Sequence, residues 1–130
     1  MVKLAGLLTT ICLIVAEQAQ AAPSVPCPDR PKLVGACFTI HGRVSYSNGT
    51  PSTRIWRVGT RRMLGVHADE PLPDNAEQLL RAGGGTHDLF DNLVYGDFEL
   101  CPFTRFRPGH MQFVCVARAW NLRLVVRQGH

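Results

Sequence analysis

No Cys-x-x-Cys pair occurs in the 130 residues, so the basic spacing of zinc ribbons and thioredoxin-type redox centres is missing. There is no Gly-x-Ser-x-Gly elbow to present a serine nucleophile, and Ser45, Ser47 and Ser52 gather around an expected hairpin instead. His-Glu-x-x-His and calcium-loop spacings are also absent. Gly83-Gly84-Gly85 lacks the Gly-Lys-Ser/Thr ending that would cradle a nucleotide phosphate. After residue 21 no apolar run approaches the roughly 20 residues that a bilayer-crossing helix needs. These absences remove most catalytic and membrane-spanning readings.

What is present begins with an export signal at residues 1–21. Lys3 gives a positive start, Leu4 to Ala16 are largely apolar, and Ala19-Gln20-Ala21 forms a small-x-small cleavage site, so the mature chain is expected to begin near Ala22. Cys12 falls within the discarded segment, and Thr9-Thr10-Ile11 before it lacks the small residue of lipoprotein processing. Removing Lys3 and Glu17 leaves the formal charge at +4, an ordinary value for a soluble domain. With 45% hydrophobic residues, the mature chain can fill the core of a single domain. The expected location is secreted or periplasmic.

An oxidising destination decides how the remaining cysteines are read. Cys27, Cys37, Cys101 and Cys115 are four in a short exported chain, which predicts two disulfides. Pro102 to Gly109 reads as the turn of a hairpin, which favours Cys101 with Cys115 and leaves Cys27 with Cys37 by elimination. The pairings that tie an N-terminal cysteine to the C-terminal half stay open.

Pro23, Pro26, Pro28 and Pro31 make residues 22–35 an extended arm, with the folded domain following over 36–130. In Cys37 to Tyr46, Phe38, Ile40, Val44 and Tyr46 share one face of a strand. Asn48-Gly49 predicts a tight hairpin turn, and its Asn48-Gly49-Thr50 glycosylation pattern needs no sugar to explain it. Further strands are predicted over Thr53–Val58, Arg61–Val66, Leu89–Tyr95, Asp97–Cys101, His110–Val116 and Leu122–Val126, with Gly59 at a bend. Pro71 and Pro73 interrupt this pattern, and Asp74 could cap a short helix reaching Arg81 within a long loop. About seven short apolar segments separated by turn signals predict an all-β, antiparallel sandwich.

His41-Gly42-Arg43-Val44, Asn48-Gly49-Thr50-Pro51, Tyr95-Gly96-Asp97-Phe98-Glu99-Leu100 and Pro108-Gly109 together resemble the transthyretin-like, or carboxypeptidase-regulatory-like, β-sandwich modules. Arg54-Ile55-Trp56-Arg57-Val58-Gly59-Thr60 with Leu64-Gly65-Val66, and Cys101-Pro102, are similar to a group of uncharacterised exported bacterial proteins. The resemblance covers roughly Phe38 to Val126 and implies a fold and a compartment. It implies no chemistry, because the Tyr-Arg-Gly-Ser tail of transthyretin-like hydrolases is replaced by Val126-Arg127-Gln128-Gly129-His130.

Arg54, Arg57, Arg61 and Arg62 surround Trp56 and form the densest charged feature. Guanidinium groups suit carboxylate or phosphate, and an indole can stack on a sugar. Against this, strand alternation would split the arginines between two faces and send Trp56 to the core. Arg54, Trp56, Arg57 and Arg61 are the binding candidates. His87, Asp88 and Asp97, with Asp91 and Glu99 nearby, are the candidates for a small hydrolase or metal-assisted enzyme, although turn hydrogen bonding also accounts for Asp88 and Asp97. The favoured expectation is a non-enzymatic exported module binding a protein, glycan or envelope component. It has no cofactor, metal or nucleic-acid partner. A structural assembly component is the further alternative.

Overall fold

The computed structural model describes residues 25–82 and 89–127, together with Val2 and Gly6. Apart from those two residues, the expected signal lies outside this set, as do the glycine-rich exit at 83–85, His87 and Asp88. Five strands carry the fold: β1 (Phe38–Tyr46), β2 (Thr53–Arg57), β3 (Met63–Val66), β4 (Asn92–Pro102) and β5 (Gln112–Val126). One helix, α1 (Asp74–Leu80), lies between β3 and β4. Among the described residues, no helix is long and apolar enough to cross a membrane.

The all-β expectation holds, but the architecture is a closed barrel in the order β1-β2-β3-β5-β4 rather than an antiparallel sandwich of about seven strands. Every neighbouring pair is antiparallel except β3 and β5, which run parallel through Leu64 with Gln112, Gly65 with Phe113, and Val66 with Val114. The strand count falls because two apparent breaks are bends within strands. Local composition separates Leu89–Tyr95 from Asp97–Cys101, yet β4 passes through Gly96 with a register shift against β5 between Tyr95 and Asp97. Likewise His110–Val116 and Leu122–Val126 join into β5, where Asn121 takes φ 54°. Bulges of this kind bend and twist a strand, as a small closed sheet requires.

Alternation along β1 works as expected: Ile40 and Val44 are buried, and Phe38 and Tyr46 pack partly buried against the core. Ile55, Leu64, Val94, Phe98, Leu100 and Val114 fill the barrel, while Leu72, Ala76 and Leu80 close one end from the helical segment. The helix differs in its cap, since Pro73 holds the N-cap position and Asp74 is the first helical residue. At its other end, buried Asn92 donates to the carbonyls of Leu80 and Ala82 at 2.9 and 3.1 Å, using two orphan acceptors of the last turn. The reversal at Asn48-Gly49 is a wider loop over 47–52, closed by the Ser47 N–H donating to the Ser52 carbonyl at 2.7 Å.

The disulfides are Cys27–Cys115 and Cys37–Cys101, which corrects the favoured pairing. Cys101 and Cys115 do sit opposite each other in the β4–β5 ladder. Their neighbours Leu100, Val114 and Val116 belong to the core, so by strand alternation both cysteines project from the outer face. The chain ahead of β1 crosses that face and supplies one sulfur to each, Cys27 from the arm and Cys37 from the residue before Phe38. The loops closed span 88 and 64 residues, and cross-links of that reach restrict the unfolded chain more than short ones do. Such bonds persist in oxidising surroundings.

Tight coiling leaves little room at Gly96, where an added Cβ would come within 2.9 Å of the Trp120 carbonyl oxygen and 2.5 Å of a Leu122 methyl. Gly96→Ala is therefore expected to lower stability by about 1–3 kcal/mol through overpacking against backbone. The denaturant midpoint of the variant measures this.

Candidate functional site

Closure of β3 on β5 brings two turns together. The β2–β3 turn (residues 58–62) and the β4–β5 loop (residues 103–111) flank a groove of about 410 Å³, whose lining includes Arg61, Arg62, Met63, Phe106, Arg107 and His110. The two sides are tied by one buried side chain. Gln112 accepts a hydrogen bond from Arg62 at 2.7 Å and donates to the Thr104 carbonyl at 3.0 Å. Thr104 Oγ1 in turn accepts the Phe113 N–H at 2.9 Å. Arg62 also stacks over Phe106, 4.1 Å from the ring centroid, although Phe106 remains 52% exposed. Burial, and then the charge of Arg57, lowers the Arg62 pKa from its usual value.

Arg61 and Arg107 are exposed at this groove and Arg105 is exposed in the same loop. The local charge is of one sign: residues 30–68 and 100–130 contain no Asp or Glu, and every acidic residue after Asp29 falls between Asp69 and Glu99. That stretch includes α1 and its approach, at the other end of β3. The acid-free stretches were visible in the sequence, but the contribution of Phe106, Arg107 and His110 required the β3–β5 pairing to become apparent.

The sequence-based binding candidates are only partly brought together. Arg61 lines the groove. Trp56 is on the outer surface, not in the core, and its register partner on β3 is Met63 of the groove. Its indole N–H donates to the Thr60 carbonyl at 2.7 Å, and Arg43 lies 4.8 Å from the ring centroid. Arg54 shares the outer-face parity of Trp56 but turns back to the Pro51 carbonyl at 3.0 Å. Arg57 belongs to the opposite parity, at the strand end that enters the turn.

Across β1, β4 and β5 the rung that starts at Trp56 continues through Arg43, Tyr95 and Arg123, each opposite the next. Arg123 lies 5.3 Å from the Tyr95 ring centroid, so cations and aromatic rings alternate along this outer rung.

At the opposite end, a cleft of about 460 Å³ is lined by residues including Tyr46, His67, Glu70, Asp74, Glu77 and Arg81. Glu70, Glu77 and Arg81 there have partners. The Tyr46 hydroxyl donates to the Glu77 carboxylate at 3.2 and 3.3 Å, Arg81 pairs with the same carboxylate, and Arg30 pairs with Glu70 at 3.1 Å. Burial first and the Glu77 charge second raise the Tyr46 pKa above its usual 10.0.

Of the acid/base candidates, Asp97 is on the outer face of β4. It accepts from Asn121 at 2.9 Å and meets His41 Nδ1 at 3.2 Å. Asp91 ends the 3-10 turn Leu89–Asp91, and Glu99 pairs with Arg118 at 3.6 Å.

The Asn121 hydrogen bond, followed by that of His41, lowers the Asp97 pKa below 3.8. The folded state therefore holds this proton less tightly than the unfolded chain does. The resulting stabilisation is present above the unfolded value and disappears as pH falls through the folded one. Asp97→Asn is expected to show a smaller acid-induced drop in urea midpoint than the parent, with the two converging at the acid end. Comparison of the chain with family models, with curated proteins and with solved structures finds no match.

Proposed function

We propose that this protein is an exported binding module for an anionic envelope polymer, a glycan bearing carboxylate or phosphate groups, seated in the groove between the β2–β3 turn and the β4–β5 loop. The observation that carries the reading is the pairing of exposed Arg61 and Arg107 with exposed Phe106 in a groove formed by acid-free segments. Guanidinium groups form charge-assisted, bidentate contacts with such groups, and an aromatic face suits a sugar ring. The Arg62–Gln112–Thr104 tie holds the two sides at fixed separation, which lowers the ordering cost of binding.

The strand order and the position of α1 add support by analogy. A five-stranded Greek-key barrel of this plan is the OB-fold, in which the face of strands 2 and 3 and the adjoining loops bind oligonucleotides and oligosaccharides. We read the chain on that plan in preference to the transthyretin-like sandwich, and we take the oligosaccharide branch because two disulfides and the expected signal fit an oxidising space outside the cytosol. The module is read as non-enzymatic, with Trp56 and Met63 extending the seat along the strand face.

Replacing both Arg61 and Arg107 with alanine is expected to weaken capture of a uronic-acid polysaccharide by roughly tenfold or more and to reduce the salt dependence of binding. Replacing both Arg118 and Arg123 with alanine, outside the groove, serves as the control of equal charge loss. Equal weakening by the control would assign the attraction to net charge and remove the groove from consideration.

A further inference from the structure

Two disulfides that could have stood apart are in contact here. The sulfurs of Cys27, Cys101 and Cys115 all lie within 4.8 Å of one another, although Cys101 is bonded to Cys37 and the other two to each other. Cys101 and Cys115 are buried, whereas Cys27 on the arm and Cys37 just before β1 are only half-buried. Directly opposed residues of an antiparallel pair have Cα atoms about 4.5–5.5 Å apart, within the range a disulfide bridges. The contact therefore opens a route by thiol–disulfide exchange to an alternative pairing, Cys101–Cys115 with Cys27–Cys37, which would remove both disulfide links to β4 and β5.

We propose that this cluster is a thiol-exchange site: it accepts an external thiolate and switches the arm between a stapled and a released state. The external thiolate attacks the more accessible Cys37 sulfur, breaks the bond to Cys101 and leaves a mixed disulfide on Cys37. Cys101, expelled as a thiolate, attacks the neighbouring Cys115 sulfur, forms Cys101–Cys115 and expels Cys27. The Cys27 thiolate then attacks the Cys37 sulfur of the mixed disulfide, forms Cys27–Cys37 and returns the external thiolate. Two disulfides exist before and after, so no electrons are gained or lost and the thiol acts as a catalyst.

Several features of the arm suit this exchange. Its 3-10 turn, Cys27–Asp29, buries no residue. Beyond the disulfides it is held by the Val34 N–H donating to the Pro102 carbonyl at 2.9 Å and by the largely buried Arg30–Glu70 pair at 3.1 Å. The single backbone hydrogen bond opens at modest cost, and the Arg30–Glu70 pair is the contact that must part for the arm to leave. The positions of the sulfurs also set the order of steps: half-buried Cys37 receives the incoming group, and the buried strand cysteines pass the bond between them.

The experiment incubates the oxidised parent protein with sub-stoichiometric reduced glutathione, quenches in acid and maps the bridges by mass spectrometry after tryptic cleavage. Lys32 lies between Cys27 and Cys37, and Arg105 lies between Cys101 and Cys115, so the two pairings give different linked peptides. The expected result is growth of Cys27–Cys37 and Cys101–Cys115 peptides without a matching growth of free thiol. Retention of the original pairing alone would overturn the proposal.

A Cys37→Ser variant isolates the central step, since it starts with a free Cys101 beside the Cys27–Cys115 bond. Alkylation is expected to mark Cys27 in place of Cys101. A label that stays on Cys101 counts against the relay, and the parent measurement stands on its own if this variant does not fold.

Discussion

Everything that distinguishes this molecule depends on the parallel seam between β3 and β5. Three register pairs close the sheet, and closure alone defines an interior for Ile55, Leu64, Phe98 and Val114 and removes the open edges that a five-stranded ribbon would present. The same seam brings the β2–β3 turn against the β4–β5 loop. Gln112, the first residue of β5, faces Leu64 in that seam and reaches both Arg62 and Thr104, so the barrel's closing point and the groove's hinge are a single residue.

The sequence made the short-range features readable. Alternation in β1, the reversal after Tyr46, the strands on either side of Gly59 and the helix after Pro73 all follow from local composition, and each is present. The long strands were not readable, because Gly96 and Asn121 carry the marks of chain breaks when viewed locally. Only the barrel's curvature turns them into bends within a strand. The parallel seam joins residues about fifty positions apart and has no local signature. The pairing of the cysteines was hidden for a related reason, since it depends on the path of an arm with almost no regular structure. Proximity of Cys101 and Cys115 followed from the hairpin, but proximity did not decide which sulfur bonded to which.

The candidate site was legible in part. The arginine cluster identified Arg61, and Arg62 was visible beside it, but strand alternation sends Arg54 and Trp56 to a face that Arg57 does not share. Trp56 stays outside the core because Arg43, its cross-strand partner, offers the indole a cation to stack against and because the Thr60 carbonyl takes its N–H. Such a choice between interior and exterior depends on a neighbour supplied from another strand. Half of the groove comes from a loop carrying two arginines and one proline that resembles an ordinary turn until the seam places it.

The separation of charge along the chain has a consequence for how the molecule meets a surface. Arginines crowd the turns at one end of β3, while Asp69, Glu70, Asp74 and Glu77 gather around the helical plug at the other. Such an arrangement is an electric dipole running along the barrel, and a negatively charged layer exerts a torque on it before any atom touches. The molecule would arrive already aligned, with its plug pointing away from the layer.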